Sequence, residues 1–236
     1  MNDATTPEVS VSWPLGPLYY ELPGADGSDA RSWVNYKLTA AHWYIGTLQQ
    51  LIEEAGFERY VGVEMALDGA LSSLNGAFDA AAGGLIRAAE MYLLKEEKDP
   101  VFTRPHEFKD RVFVNRMAEL DRQKLDIDVA GVAANVASAL EIGPDRDNPT
   151  GWLQQFRRLR NTPMHQNTAP RHIDVVVGTD AVTSLSVAGN AQGPVEYLTE
   201  TEQKILALTG PILGIIDHII PHGIPSLRPL RKPEAT

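Results

Sequence analysis

Between residues 60 and 95 the chain carries two interleaved stripes. Gly62, Ala66, Gly69, Ser73, Gly76, Ala80 and Gly83 recur in steps of four and three, and Leu67, Leu71, Leu74 and Phe78 keep the same steps. At about 100° per residue the two sets fall on nearly opposite sides of one helix. One side offers bulk and the other almost none. A glycine inside a helix costs about 1 kcal/mol relative to alanine, so Gly62, Gly69, Gly76 and Gly83 need an offsetting gain. Close approach of a second helix along the small side supplies one, whether that helix comes from the same chain or from a second copy. The periodicity therefore predicts a long helix over 60–95. The competing reading is that the glycines break the segment into shorter helices.

The flanking segments are also helical in pattern. Trp33, Tyr36, Leu38, Ala41, Tyr44, Ile45, Leu48, Leu51 and Ile52 predict a first helix over 32–55, stopped by Gly56. His42 lies in it between apolar neighbours and reads as a satisfied core or boundary histidine. Pro105 suits the first turn of a helix reaching Arg122, with Phe108, Val112, Met117 and Leu120 inward. Its His106 and Glu107 read as a solvated helix end. Asp126 or Asp128 can cap the next helix, which carries Val129, Val132, Val136 and Leu140 and ends at Gly143 and Pro144. Asn148 as cap and Pro149 at the first position open another. Thr199 with Glu202 matches a capping box for a last helix running to Ile220, kinked at Gly210 and Pro211.

Two regions depart from this pattern. Residues 1–31 are rich in Pro, Gly and Asp around the apolar island Trp13, Leu15, Leu18, Tyr19, Tyr20 and Leu22, and predict an extended arm docked on the body. After Pro170 the run from His172 to Val177 is β-rich, and Val182 to Val187 alternates apolar and polar, with Gly178, Thr179 and Asp180 between them. That predicts a hairpin over 172–188, covered by the helices or by a second subunit. The organisation expected is an arm over 1–31, a mainly α domain over 32–225 with an appended C-terminal β-hairpin, and a mobile basic tail over 226–236.

The chain has 236 residues, 43% hydrophobic and 22% charged, which suits a globular domain with a real core. It has no cysteine, so disulfides and thiolate metal sites are excluded. That composition, with no signal-peptide pattern at the start and no apolar run long enough to span a bilayer, predicts a cytoplasmic protein without a membrane partner. The formal charge of -10 argues against a protein that coats long nucleic acids through broad positive charge. No phosphate-loop, dinucleotide, Glu-x-x-His or His-Glu-x-x-His pattern occurs, and Asp217, His218 and His222 are interrupted by Pro221, so neither cofactor nor metal is expected.

Against that acidic background, residues 148–173 contain no Asp or Glu, yet hold Arg157, Arg158, Arg160 and Arg171 with His165 and His172. Guanidinium is the side chain best shaped to grip a phosphate, and imidazole can move a proton near neutral pH. Arg157, Arg158 and Arg171 are therefore candidate phosphate-binding groups. The bland alternative is a surface helix that happens to be basic, with His165 packed beside it.

Arg160, Asn161 and His165, led by Leu153, Phe156 and Leu159 at helical spacing, resemble the motif of the HEPN superfamily: an Arg, commonly followed by Asn, Asp or His, and then a His a few residues on. The resemblance covers about fifteen residues. It implies a compact helical bundle, usually a homodimer, and a metal-independent RNA endonuclease, often a toxin or defence component with an antitoxin partner. It implies catalytic roles for Arg160, Asn161 and His165. Members without demonstrated cleavage imply the alternative, a non-catalytic nucleotide- or partner-binding module. A purely structural helical protein is the third reading. In an unbroken helix Arg160 and His165 point about 140° apart, and a bend at Thr162 and Pro163 is one way to bring them together.

Overall fold

The computed structural model describes residues 11–13, 16–18, 30–53, 59–94, 110–141, 150–164, 171–174, 182–187 and 190–219. Along the chain these are β1 (Val11–Trp13), β2 (Gly16–Leu18), α1 (Ala30–Glu53), α2 (Arg59–Leu94), α3 (Asp110–Asp121), α4 (Val129–Ala139), α5 (Trp152–Met164), β3 (Arg171–Asp174), β4 (Val182–Val187), β5 (Asn190–Gln192) and α6 (Pro194–Ile219). The described chain is mainly helical.

The centre of the fold is α2, unbroken through its glycines. Its bulky stripe is fully enclosed: Leu67, Leu71, Leu74 and Phe78 are all at most 1% exposed. Its small side lies against α1 of the same chain. A Cβ placed on Gly62 would meet Leu51, one on Gly69 would meet Tyr44, one on Gly76 would meet Lys37, and one on Gly84 would meet Ala30. As the α2 number rises the α1 number falls, so the helices are antiparallel. Ala30, Lys37, Tyr44 and Leu51 repeat every seven residues, as Gly62, Gly69 and Gly76 do, while the fourth contact is at Gly84, eight residues on and one past the Gly83 of the predicted stripe. The partner left open by the sequence is thus supplied within the chain for these four contacts.

The other helices pack around this pair. From α1, Val34, Leu38, Ala41, Ile45 and Leu48 are buried, and α6 lies across both helices with Leu198, Ile205, Ile212, Leu213 and Ile216 inside. Each such aliphatic side chain contributes about 1.5–3 kcal/mol on burial. From α3, Phe113, Met117 and Leu120 turn inward. Val112, expected inside, is only half-buried, because the inward stripe runs one residue later. Between α3 and α4 the chain turns through Lys124, whose φ of 52° is in the left-handed region.

Local signals set the helix ends, not always where expected. Asp128 caps α4, its Oδ1 accepting from the Gly131 N–H at 2.8 Å. Asn148 and Pro149 lie outside the described residues, and α5 begins at Trp152. Its first intrahelical bond runs from the Gln155 N–H to the Gly151 carbonyl, 3.1 Å. Gly151 is needed there: a Cβ would fall 2.5 Å from both the Ala139 carbonyl oxygen and the Glu141 nitrogen.

The expected start of the last helix is corrected. α6 opens at Pro194, a favoured first-turn residue, with the Tyr197 N–H bonded to the Gly193 carbonyl at 3.0 Å. Thr199 sits inside the helix and its hydroxyl donates back to the Val195 carbonyl, 2.8 Å, so it caps nothing. The helix also continues through Pro211. The carbonyl this proline leaves without an N–H donor belongs to Ala207, an exposed position where solvent can serve it.

Among the described residues, β1 pairs antiparallel with β2, and β4 pairs antiparallel with β3 and β5. In β3–β4, Arg171 stands opposite Leu185 and Asp174 opposite Val182. The expected turn at Gly178, Thr179 and Asp180 lies outside the described residues, as do most of the 1–31 arm and all of the 226–236 tail.

Candidate functional site

The amphipathic stripe of α5 positions the motif. Leu153, Phe156 and Leu159 are buried, and the helix rests against α2, α4 and β4. Lys204 from α6 places its ammonium over the Trp152 ring, 5.7 Å from the centroid, at the start of the helix.

Arg157 reaches from α5 to α2. Its guanidinium donates to Asp79 Oδ1 at 2.6 Å and through Nε to Asn75 Oδ1 at 3.3 Å. It also lies over the Phe78 ring, 5.3 Å from the centroid. Its side chain is 15% exposed. The positive charge that the sequence suggested for a phosphate is met by the Asp79 carboxylate. The acid-free run along the chain is therefore not acid-free in space. Arg158, one residue on, is exposed.

Arg160 and Asn161 are on α5, three and four residues beyond Arg157 and thus at positions on the same helical face. A bend or break at Thr162 and Pro163 was one route to convergence, but α5 remains helical through Pro163 to Met164. A proline this close to a helix end disturbs only the last turn. His165 follows that end and lies outside the described residues, so the expected meeting of Arg160 and His165 falls outside them too. Arg171 is in β3, across from Leu185. The C-terminal end of a helix carries partial negative charge, so it favours a cation such as Arg160 and offers an anion no backbone help.

Sequence reasoning missed Asn75 and Asp79, although two polar residues four apart amid Leu74, Ala77 and Phe78 mark one helical face. It also misread Glu202 as half of a capping box, while the boundary histidine expected at His42 has a partner in that same glutamate. Glu202 is 3% exposed on α6 and faces His42 of α1, Oε1 to Nδ1 3.4 Å, an electrostatic contact longer than a good hydrogen bond. Burial pushes the Glu202 carboxyl above the ordinary glutamate range, and His42 opposes that rise. The imidazole of His42 is largely exposed. Glu202 could have been suspected from its place in the run Leu198, Glu202, Ile205, Thr209, which keeps the core spacing of α6.

Among the described residues there is no cluster of three or more His, Cys, Asp or Glu side chains suited to a metal, and no helix long and apolar enough to cross a membrane. No protein-family model, curated protein or solved structure matches the chain.

Proposed function

We propose that the chain is a HEPN-like, metal-independent RNA endonuclease, of the kind that serves as a toxin or defence component, working as a homodimer in the cytoplasm. The fold belonging to this reading is a HEPN-like helical bundle with an appended β-hairpin near 172–188. The observation that carries it is that Arg160 and Asn161 lie near the end of a well-packed helix, with His165 the next residue in sequence after Met164. Arg160 holds the phosphate and stabilises the charge that develops on it. Asn161 orients the site by hydrogen bonding. His165 takes the proton from the ribose 2′-hydroxyl or gives one to the leaving 5′-oxygen. The 2′-oxygen attacks phosphorus, the bond to the 5′-oxygen breaks, and the products are a cyclic phosphate and a 5′-hydroxyl. One chain supplies one histidine of the motif, and the second proton transfer calls for the histidine of a second copy.

A second reading is favoured by one observation. The pairing of Arg157 with Asp79, on a chain of net charge -10, weakens the local attraction for a polyanion. That suits a non-catalytic HEPN-like module binding a nucleotide or a protein such as an antitoxin, or a helical protein with a purely structural role. Incubating the purified chain with RNA in EDTA, beside His165→Ala, separates the readings. Cleavage by the parent and not by the variant supports the nuclease. RNA left intact by both removes it.

A further inference from the structure

We propose that Arg157, Asp79 and Asn75 form a brace that fixes the rotation of α5 on α2, and so act as positioning residues for Arg160 and Asn161. This rests on the ribonuclease reading above.

The three side chains close a ring. Arg157 donates to Asp79 Oδ1 and to Asn75 Oδ1, and Asn75 Nδ2 donates to Asp79 Oδ2 at 2.7 Å. Asn75 is 2% exposed and Phe78 forms the floor beneath the guanidinium. The apolar stripe Leu153, Phe156 and Leu159 holds α5 against the body, but apolar contact is non-directional and tolerates small rotations. Hydrogen bonds from a planar guanidinium are directional, and in a site of low dielectric they are stronger than in water. Position 160 lies about 4.5 Å along the helix from position 157 and about 60° around it. Any rotation of α5 that the ring prevents at Arg157 is prevented equally at Arg160 and Asn161.

The alternative role for Arg157 is that of a phosphate ligand, and the two roles give opposite results at Asp79. For a ligand, Asp79→Asn releases positive charge and strengthens RNA binding. For a brace, it loosens the helix and misplaces the groups beyond.

The test uses the full chain, with Asp79→Asn and Arg157→Lys. Lysine keeps the charge and loses the fork. Two readouts are taken: steady-state cleavage of a labelled RNA oligonucleotide in EDTA, and hydrogen exchange of the α5 amides. The brace predicts a fall in kcat on the order of 10- to 100-fold in both variants, with KM within about twofold of the parent. It also predicts faster exchange in α5 while α1 and α2 stay protected. A lower KM with kcat unchanged in Asp79→Asn would overturn it, as would α5 exchange equal to that of the parent. If Asp79→Asn does not fold, Arg157→Lys decides by itself: a fall in kcat with KM held supports the brace, and a rise in KM with kcat held overturns it. If the parent cleaves no RNA, the nuclease reading fails on that result alone. Exchange then judges the brace by itself: faster exchange in α5 supports it and unchanged exchange overturns it.

Discussion

The Tyr44 ring lies across Gly69, so that a Cβ on that glycine would stand 2.6 Å from ring atoms Cε1 and Cζ. Real side chains do not approach so closely, and an aromatic ring cannot bend aside. At Gly76 the nearest group is the Lys37 stem, 3.2 Å away, which is flexible. Gly69→Ala should therefore destabilise by about 1–3 kcal/mol through overpacking. Gly76→Ala should be nearly neutral or gain from better helix propensity, by up to about 1 kcal/mol. Gly76→Leu exceeds what Lys37 can yield and should be destabilising. Denaturant unfolding of the three variants measures the order, and Tyr44→Ala should recover much of the loss at Gly69.

Arg160→Ala and His165→Ala should each abolish RNA cleavage with helical content intact by circular dichroism. Losses of at least about 100-fold are expected where proton transfer or charge stabilisation is removed. EDTA should not inhibit. A 2′-deoxy substitution at the cut should protect the substrate, because the attacking oxygen is then missing. Cleavage of the deoxy substrate would rule out the mechanism proposed.

Two copies should associate. The case no longer leans on the small-residue stripe, since its Gly62, Gly69 and Gly76 meet α1 of their own chain. It leans on the single motif histidine of each chain. Sedimentation equilibrium should give a mass that rises to twice that of the chain with concentration. Mixing inactive Arg160→Ala with inactive His165→Ala should restore part of the activity if each copy completes the other's site.

Glu202 gives a pH signature. Its folded pKa is raised, chiefly by burial. The group thus favours folding fully at pH below its unfolded value, and that contribution is lost as pH rises through the folded value. Glu202→Gln should match the parent at about pH 4 and become the more stable of the two as pH rises toward about 8. His42→Ala should widen the gap, because it removes the contact that opposes the rise. Urea unfolding at several pH values reads both effects, and a gap that does not change with pH would contradict the assignment.

The helices were legible because their signals are repeated along the chain. Leu67, Leu71, Leu74 and Phe78 mark α2 without help from the fold, and Asp126 or Asp128 announces the start of α4, the fold choosing Asp128. The capping pattern at Thr199 and Glu202 misled because it is local. Inside the longer helix Glu202 falls on the core spacing and is buried facing α1, while Thr199 stands exposed. Pro211 stands within α6 and Pro163 one residue before the end of α5: a proline's cost falls where the affected carbonyl faces solvent or the helix is about to end. Of the site, the helix carrying Arg160 and Asn161 was readable. The pairing of Arg157 with Asp79 joins residues 78 apart in the chain, and no periodicity in one segment reveals what a distant segment will place beside it.

The seven-residue steps shared by α1 and by Gly62, Gly69 and Gly76 of α2 have a consequence for how this helical hairpin finds its alignment. Sliding one helix past the other by seven residues again seats α1 side chains over at least two of these three glycines, so the two helices alone distinguish poorly between neighbouring alignments. α6 acts as the ruler. It grips α1 at two separated points, Arg31 with Asp217 and His42 with Glu202, while its apolar side packs on α2. A slipped hairpin cannot keep both grips and that packing together. Removing both grips, by Arg31→Ala with His42→Ala, should therefore leave a helical protein that refolds into more than one species.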